Sequence, residues 1–248
     1  MNQSFFIGAV GAHQQLKRLA VQGNNIANVN TYAFKADKGR FAALMYDGVK
    51  NTEEAMVPTG VGAALRNTDT DFTPGAAADT GRPQDYMIGG EGFFALVDLV
   101  TGEVSLTRNG AFSMASLERA SEEVDAYGNP IMEHIYYLSD GNGRFVLSSS
   151  GSMIEMTDPN EEQDVGVFDY INYNGMEKIG STRFLAVDKN GGLRQGTSPV
   201  IHRALEMSNT DLAEEMTKVI ESQRAYGMAL KMVQTSDEIE ATINNLRG

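Results

Sequence analysis

The sequence predicts a mainly β protein in which a central antiparallel β domain is flanked by N- and C-terminal helices. Apolar residues recur at alternating steps of four and three at both ends of the 248-residue chain. That spacing places side chains on one face of a helix. Between the two ends, short alternating apolar stretches are separated by closely spaced turn signals, which is typical of antiparallel strands. The predicted parts are an N-terminal helix (1–35), a connecting segment with short strands (36–75), the β domain (76–200) and a C-terminal helix (201–248).

The N-terminal helix is predicted over residues 3–29. Its apolar stripe consists of Phe5, Ala9, Ala12, Leu16, Leu19, Gly23 and Ile26. The stripe ends in a segment that carries Asn24, Asn25, Asn28 and Asn30. Asparagine side chains compete for backbone hydrogen bonds in a helix interior. The segment therefore indicates either a fraying helix end or an amide ladder that bonds across a subunit interface.

A matching helix is predicted from Asn209 to Leu246, and Thr210 or Asp211 can cap its start. Its first stripe consists of Leu212, Met216, Val219, Gln223, Tyr226, Leu230 and Val233, and its second of Met228, Met232, Thr235, Ile239, Ile243 and Leu246. The N-terminal stripe and the first C-terminal stripe each span roughly 32 Å of helix. Equal lengths make the two helices natural partners, either as a coiled coil or as two ordinary amphipathic helices on a globular core.

The middle of the chain is predicted to be β structure. Residues 61–67 indicate a strand that closes in the turn Asp71–Gly75, and the polar residues 51–59 indicate an exposed loop. From Ala76 to Val200, strands and turn signals such as Asp140–Gly143 alternate at short intervals. That density favours a sandwich or barrel over βαβ units.

Composition excludes several classes of protein. The net charge of −13 and the pI near 4.6 argue against nucleic acid and against an anionic membrane surface. No run of 18 apolar residues occurs, so no membrane insertion is expected. There are no cysteines, so disulfides and thiolate chemistry are absent. The first residues lack the basic start of a cleaved secretory signal.

No catalytic, cofactor or metal site is predicted. Gly90–Ala95 fits a degenerate dinucleotide-binding pattern, but a strand follows where that chemistry needs a helix. Asp69–Asp71 resembles the start of a calcium loop that lacks the required glycine and the final glutamate. The three histidines lie too far apart to suggest zinc: His13, His134 and His202.

Both ends of the chain resemble one family. Asn24–Thr31, followed by Phe34-Lys35, resembles the N-terminal signature of bacterial flagellar rod and hook proteins. The family usually has Pro-Gly at the positions of Tyr32 and Ala33. Further segments resemble its central and C-terminal patterns: Ile88–Phe94, Thr107–Phe112, Leu205–Asn209, Ser222–Tyr226 and Gln234–Glu238.

The resemblance implies a structural subunit of the flagellar basal-body rod, the axial drive shaft that joins motor to hook, of the proximal or distal type. It implies export by the flagellar export apparatus, and partners that are copies of the chain and other axial proteins of the rod and hook. The expected interface residues are Phe5, Leu16, Leu19, Asn24, Asn25, Ile26, Asn28, Leu212, Met216, Val219, Gln223, Tyr226, Leu230 and Val233. One alternative is a secreted β-domain binding module or adhesin with a coiled-coil stalk. Another is a cell-wall hydrolase with an unrecognised carboxylate pair.

Overall fold

The chain forms two compact units. The computed structural model describes residues 3–43, 46–50, 56–60, 62–124 and 130–247. The first unit combines Met1–Val29, Ala36–Asp71 and Thr210–Gly248, and the second combines Asn30–Lys35 with Phe72–Asn209. Every strand pair in the described residues is antiparallel. The predicted mainly β protein with terminal helices and antiparallel sheets is confirmed.

The first unit contains both long helices and a two-stranded ribbon. Its elements are α1 (Gln3–Ala27), β1 (Asp37–Ala43), β2 (Tyr46–Lys50), β3 (Met56–Gly60), β4 (Ala63–Thr70) and α2 (Leu212–Arg247). Strand β1 pairs with β4, with a register shift between Arg40 and Phe41. Strand β2 pairs with β3 and continues the register that β1 and β4 have after that shift. The strand predicted at 61–67 is β4. The predicted exposed loop is wrong for residues 56–59, which lie in β3, while residues 51–55 lie outside the described residues.

The second unit is built from short strands. They are β5 (Ala77–Asp79), β6 (Tyr86–Ile88), β7 (Phe93–Asp98), β8 (Val104–Thr107), β9 (Ser113–Val124), β10 (Pro130–Ser139), β11 (Arg144–Val146), β12 (Glu155–Met156), β13 (Val167–Asp169), β14 (Glu177–Ile179), β15 (Arg183–Leu185), β16 (Arg194–Gln195), β17 (Val200–His202) and β18 (Ala204–Glu206). Ten of them form one sheet, whose main path is β12-β10-β11-β7-β8-β15-β14. Strands β17 and β18 pair with β6 and β5, so residues 200–202 and 204–206 belong to strands and α2 begins six residues after β18.

Strand β7 separates the two hydrophobic cores of the second unit. Phe94 and Leu96 lie in one cluster, and Phe93 and Ala95 lie in the other. Successive strand residues point to opposite faces of a sheet, so this strand is buried on both faces. That arrangement explains why residues 93–97 are a continuous apolar run rather than an alternating one.

Candidate assembly interface

Helices α1 and α2 pack against each other in antiparallel directions. The Oγ atoms of Ser4 and Ser236 lie 3.5 Å apart. A methyl group built on Gly8 would lie 2.9 Å from Val233 Cγ2, and one on Gly11 would lie 3.9 Å from Ala229 Cβ. As the residue number increases along α1, the contacted residue of α2 has a lower number, so the two helices are antiparallel. The helices come close because small residues line the contact.

The contact between the helices is made mainly of small and polar side chains. On α2, a row at steps of seven residues consists of Glu215, Ser222, Ala229 and Ser236, three of which are at most 6% exposed. On α1, the buried residues include Ala12 and Gln22. Four buried oxygens of this contact region have no hydrogen-bond partner in the described part of the chain: Gln15 Oε1, Gln22 Oε1, Glu215 Oε2 and Ser222 Oγ. Each such atom costs about 1–3 kcal/mol.

The large apolar side chains of α2 lie on the outside of the pair. One exposed row, here called the first strip, consists of Leu212, Met216, Gln223 and Leu230. On the opposite flank of the α1-facing row, the second strip consists of Met228, Met232, Thr235, Ile239, Ile243 and Leu246. Their exposed fractions reach 52% at Met216 and 83% at Leu246. A solvent-facing surface of this kind indicates a contact made with another molecule.

Helix α1 has three faces with different surroundings. One packs on α2. The second packs on the ribbon, where the Asn25 side chain donates to the Asp37 carbonyl and accepts from the Asp37 N–H, both at 2.9 Å, and Gln14 Oε1 accepts from the Leu65 N–H at 2.8 Å. The third is exposed, and we call it the outer face of α1: Phe6, Ala9, His13, Leu16, Ala20 and Gly23.

The predicted interface residues divide into three groups in this arrangement. The partly buried ones are Phe5, Leu19, Ile26, Asn28, Val219, Tyr226 and Val233, and the exposed ones are Leu16, Asn24, Leu212, Met216, Gln223 and Leu230. Asn25 is only 1% exposed. Its amide is occupied by Asp37, so the expectation that Asn25 reaches a neighbouring subunit is wrong.

Only part of the first C-terminal stripe faces α1. Val233 lies next to Gly8, whereas Leu230 is 39% exposed and Leu16 is 48% exposed, so Leu230 is not buried against Leu16 within one chain. The row that faces α1 includes Ser222 and Ala229, each one residue before a stripe member. Sequence periodicity missed it because small and polar residues give no hydrophobic signal.

The close approach of the helices predicts opposite effects for two glycine substitutions in α1. Gly8→Ala places its methyl 3.3 Å from the Ala229 carbonyl oxygen, whereas Gly23→Ala meets no atom within 4 Å. Alanine favours a helix over glycine by about 1 kcal/mol, while overpacking costs about 1–3 kcal/mol. We expect Gly23→Ala to raise and Gly8→Ala to lower the thermal stability of the helices, followed by circular dichroism at 222 nm. Equal shifts for both variants would contradict the described contact.

A buried ionic cluster fastens two distant segments of the second unit. Glu206 Oε1 lies 2.5 Å from Lys35 Nζ and accepts from the Gly75 N–H at 2.7 Å. Its other oxygen, Oε2, lies 3.1 Å from Arg108 Nε. The Nε–H does not point at that oxygen, so this contact is an ion pair rather than a hydrogen bond. All three charged residues are at most 2% exposed.

The cationic members of the cluster are also held by backbone carbonyls. Lys35 Nζ donates to the Thr73 carbonyl at 2.8 Å, and the Arg108 guanidinium donates to the Gly90 carbonyl. Burial lowers the pKa of Arg108, and the Glu206 carboxylate opposes that shift. These bonds join the segment that follows α1 to the segment that precedes α2.

In the turn that precedes Lys35, an alanine adopts a left-handed backbone conformation that usually favours glycine. Ala33 has a φ of 57°, in the left-handed region that costs a residue with a side chain roughly 1–2 kcal/mol. Its N–H donates to the Glu206 carbonyl at 2.7 Å, which helps to hold this conformation. Ala33 therefore holds a backbone conformation that glycine would adopt without steric cost.

The sequence alone does not indicate a role for the three residues of the cluster. Lys35, Arg108 and Glu206 each lie in a segment that resembles the flagellar family. A single charged residue next to apolar residues could have indicated a buried charge, as in Phe34-Lys35-Ala36 and Ala204-Leu205-Glu206. Charged residues are almost never fully buried unless they are paired.

Acidic or histidine clusters and cavities are the features of the described residues that bear on small ligands. No group of three or more acidic or histidine side chains among them is arranged to hold a metal ion. A cavity of about 190 Å³ is bounded by α1, β1 and α2, smaller than the 300–1,000 Å³ typical of ligand pockets. Within the described part of the chain, neither helix is both long and apolar enough to span a membrane.

Comparison with known proteins gives matches at both ends and along the whole chain. A family described as "Flagellar basal body rod FlgEFG protein C-terminal" matches residues 202–246, and one described as "Flagella basal body rod protein" matches residues 7–35. These two ranges include both long helices almost entirely, together with Lys35 and Glu206.

Three relatives illustrate the similarity. The flagellar basal-body rod protein FlgG of Borreliella burgdorferi is 29% identical over 267 residues, covering 100% of this chain and 99% of that protein. FlgG of Bacillus subtilis is 28% identical over 275 residues, covering 100% of both. The flagellar hook protein FlgE of Salmonella typhimurium is 39% identical over 111 residues, which are 45% of this chain and 25% of that protein.

Paired terminal helices with an apolar outer surface are joined to an antiparallel β unit. Both ends of this chain match flagellar basal-body rod families, and its whole length is similar to flagellar basal-body rod proteins.

Proposed function

We propose that this protein builds the basal-body rod by packing the outer surfaces of its terminal helices against copies of itself and against other axial proteins of the rod and hook. The observation that carries the proposal is the inverted side-chain pattern of the helix pair. Small and polar residues lie inside the pair, whereas the large apolar residues of α2 lie outside it. Such a surface is stable in water only when another molecule covers it.

The exposed apolar side chains of α2 provide a favourable free energy for assembly. Complete burial of a large apolar side chain stabilises by roughly 1.5–3 kcal/mol, so covering a half-exposed one contributes about half of that. The helix α2 exposes nine such side chains: Leu212, Met216, Ile220, Met228, Leu230, Met232, Ile239, Ile243 and Leu246. Their burial would contribute on the order of 10 kcal/mol before the entropy cost of association.

The interface we propose follows the predicted residues except Asn25. It comprises the exposed residues Leu16, Asn24, Leu212, Met216, Gln223 and Leu230. The partly buried residues Phe5, Leu19, Asn28, Ile26, Val219, Tyr226 and Val233 border it. Contacts of this kind leave unsatisfied surfaces until the next subunit arrives, as an open-ended assembly requires.

The finer architecture we propose is an antiparallel coiled coil of two axial helices. The seven-residue spacing from Glu215 to Ser236 supports it. In functional terms, residues 1–35 and 201–248 serve as the axial parts, 36–75 as the connecting segment and 76–200 as the projecting β domain. The chain reaches the rod by way of the flagellar export apparatus.

Substitutions at Leu230 test the proposed interface. Because Leu230 is already 39% exposed in the single chain, we expect Leu230→Ala and Leu230→Asp to change the stability of the free protein little. Leu230→Ala removes roughly 1.4 kcal/mol of apolar contact with the neighbouring subunit, which corresponds to a tenfold lower association constant. Aspartate adds a buried unpaired charge and costs more. The measurement is the amount of each variant in purified basal bodies, alongside its melting temperature.

The matched control is Thr217→Asp, which introduces the same charge at an exposed polar position of α2 outside both strips. We expect this variant to enter basal bodies like the wild-type protein. Normal incorporation of Leu230→Asp would show that the first strip is not an interface. Loss of both aspartate variants would indicate sensitivity to charge alone.

A further inference from the structure

The second strip of α2 extends beyond the part of the helix that α1 covers. The start of α1 lies beside Ser236, since Ser4 contacts that residue, and α2 continues to Arg247. This extension carries Ile239, Ile243 and Leu246, which are 48%, 51% and 83% exposed. No described residue of the chain buries them.

We propose that the second strip of one copy docks on the outer face of α1 of the next copy. This inference rests on the proposed function, which does not say which surface of the neighbouring copy the second strip contacts. The strip runs from Met228 to Leu246 and the outer face from Phe6 to Gly23, so they are about 27 Å and about 26 Å long at 1.5 Å per residue. Two surfaces of the same length and the same helical spacing can engage along their whole extent.

The side-chain sizes of the two surfaces complement each other. The second strip carries large residues at five of its six positions, whereas three of the six residues of the outer face are small: Ala9, Ala20 and Gly23. Helices pack by inserting side chains of one into the gaps of the other. Small residues on α1 provide gaps that the methionine and isoleucine side chains of α2 can fill.

Charge favours this pairing over contact between two second strips. Helix α1 contains Lys17 and Arg18 and no acidic residue, a net charge of +2. Residues 228–246, which span the second strip, contain Asp237, Glu238 and Glu240 and one basic residue, Lys231, a net charge of −2. Docking α2 on α1 brings opposite charges together, whereas pairing two second strips would bring like charges together, which is unfavourable.

The topology of the contact also fits a rod. Each copy offers one second strip and one outer face, so the contact is head-to-tail and leaves a free strip and a free face at the ends of any chain of copies. A contact between different surfaces of identical subunits continues indefinitely unless it closes into a ring. A strip that paired with itself would stop at a dimer.

Cysteine cross-linking tests the pairing cleanly because the protein has no cysteine of its own. Leu16 and Ile239 lie near the middle of their surfaces and are each 48% exposed, so they meet whichever way the helices run. The double variant Leu16→Cys/Ile239→Cys would be produced in cells that also produce the wild-type chain. Purified basal bodies would then be treated with a short bismaleimide. We expect a ladder of cross-linked subunits on a denaturing gel.

Matched variants define what overturns the inference. Leu16→Cys/Met216→Cys places the second thiol in the first strip at a similar exposure, 52% at Met216 against 48% at Ile239, and we expect no ladder from it. A cross-linked dimer from Ile239→Cys alone would show that second strips meet each other and would overturn the inference. Absence of a ladder from a double variant present in basal bodies would also overturn it and would leave the proposed function intact. Absence of the wild-type chain from basal bodies would overturn the proposed function itself.

Discussion

Glu206→Gln is expected to lower the free energy of unfolding of the second unit by about 3–5 kcal/mol. The substitution keeps the shape of the side chain but removes the negative charge of Glu206. Lys35 and Arg108, which are at most 2% exposed, would then both lose the carboxylate with which they are paired. Removing one partner of a buried ion pair is costly because the remaining charge has lost its water.

The measurement is urea denaturation of the full-length protein, followed by near-ultraviolet circular dichroism of tyrosines such as Tyr86 and Tyr173 in the second unit. Glu162→Gln is the matched control, since its pair with Arg203 spans 3.6 Å and both side chains are about half exposed. An exposed pair contributes about 0–1 kcal/mol. Equal losses in the two variants would mean that the cluster does not hold the unit together.

Gly110→Ala is expected to destabilise the second unit by about 3 kcal/mol or more, with misfolding as the extreme result. A methyl group at this position would lie 1.8 Å from the Tyr86 carbonyl oxygen and 3.1 Å from Phe94 Cε2. The backbones also bond here, since the Tyr86 N–H donates to the Gly110 carbonyl at 3.1 Å. Relief would require strand β6 to move, and its residues are at most 5% exposed.

The same denaturation experiment measures this effect, together with the yield of soluble protein. Gly192→Ala is the control, because a methyl there meets no atom within 4 Å. We expect that variant to be unchanged or stabilised by up to about 1 kcal/mol, since alanine reduces the freedom of the unfolded chain. Wild-type stability of Gly110→Ala would contradict the close approach of the two backbones.

The existence and the length of the terminal helices could be predicted from local sequence. Helix α1 ends at Ala27 and α2 begins at Leu212, close to the predicted limits of 29 and 209. Long segments with regular spacing are the easiest to recognise. Strands β9 and β10 were not identified individually, because β9 consists largely of small and charged residues and β10 carries apolar residues next to one another, so neither alternates clearly.

The role of the asparagines depended on a distant residue. The sequence left Asn25 open between a fraying helix end and an amide that bonds across a subunit interface. Its partner is the backbone of Asp37, 12 residues away on strand β1. A side-chain amide reproduces the donor and acceptor pattern of a peptide group, so a buried asparagine can bond to the edge of a strand.

By itself, the sequence determined that two helices flank a β region and that the chain resembles flagellar rod proteins, because periodicity and local motifs survive without knowledge of contacts. Only the tertiary structure decided which helical faces are free. Hydrophobic spacing favoured Leu212, Met216 and Leu230 as the inner row, yet the small residues Gly8, Ser222 and Ala229 occupy that position. Helices that pack through small residues approach closely and leave their large apolar side chains outside, and the same three-dimensional closeness brings Lys35, Arg108 and Glu206 together from segments up to 171 residues apart.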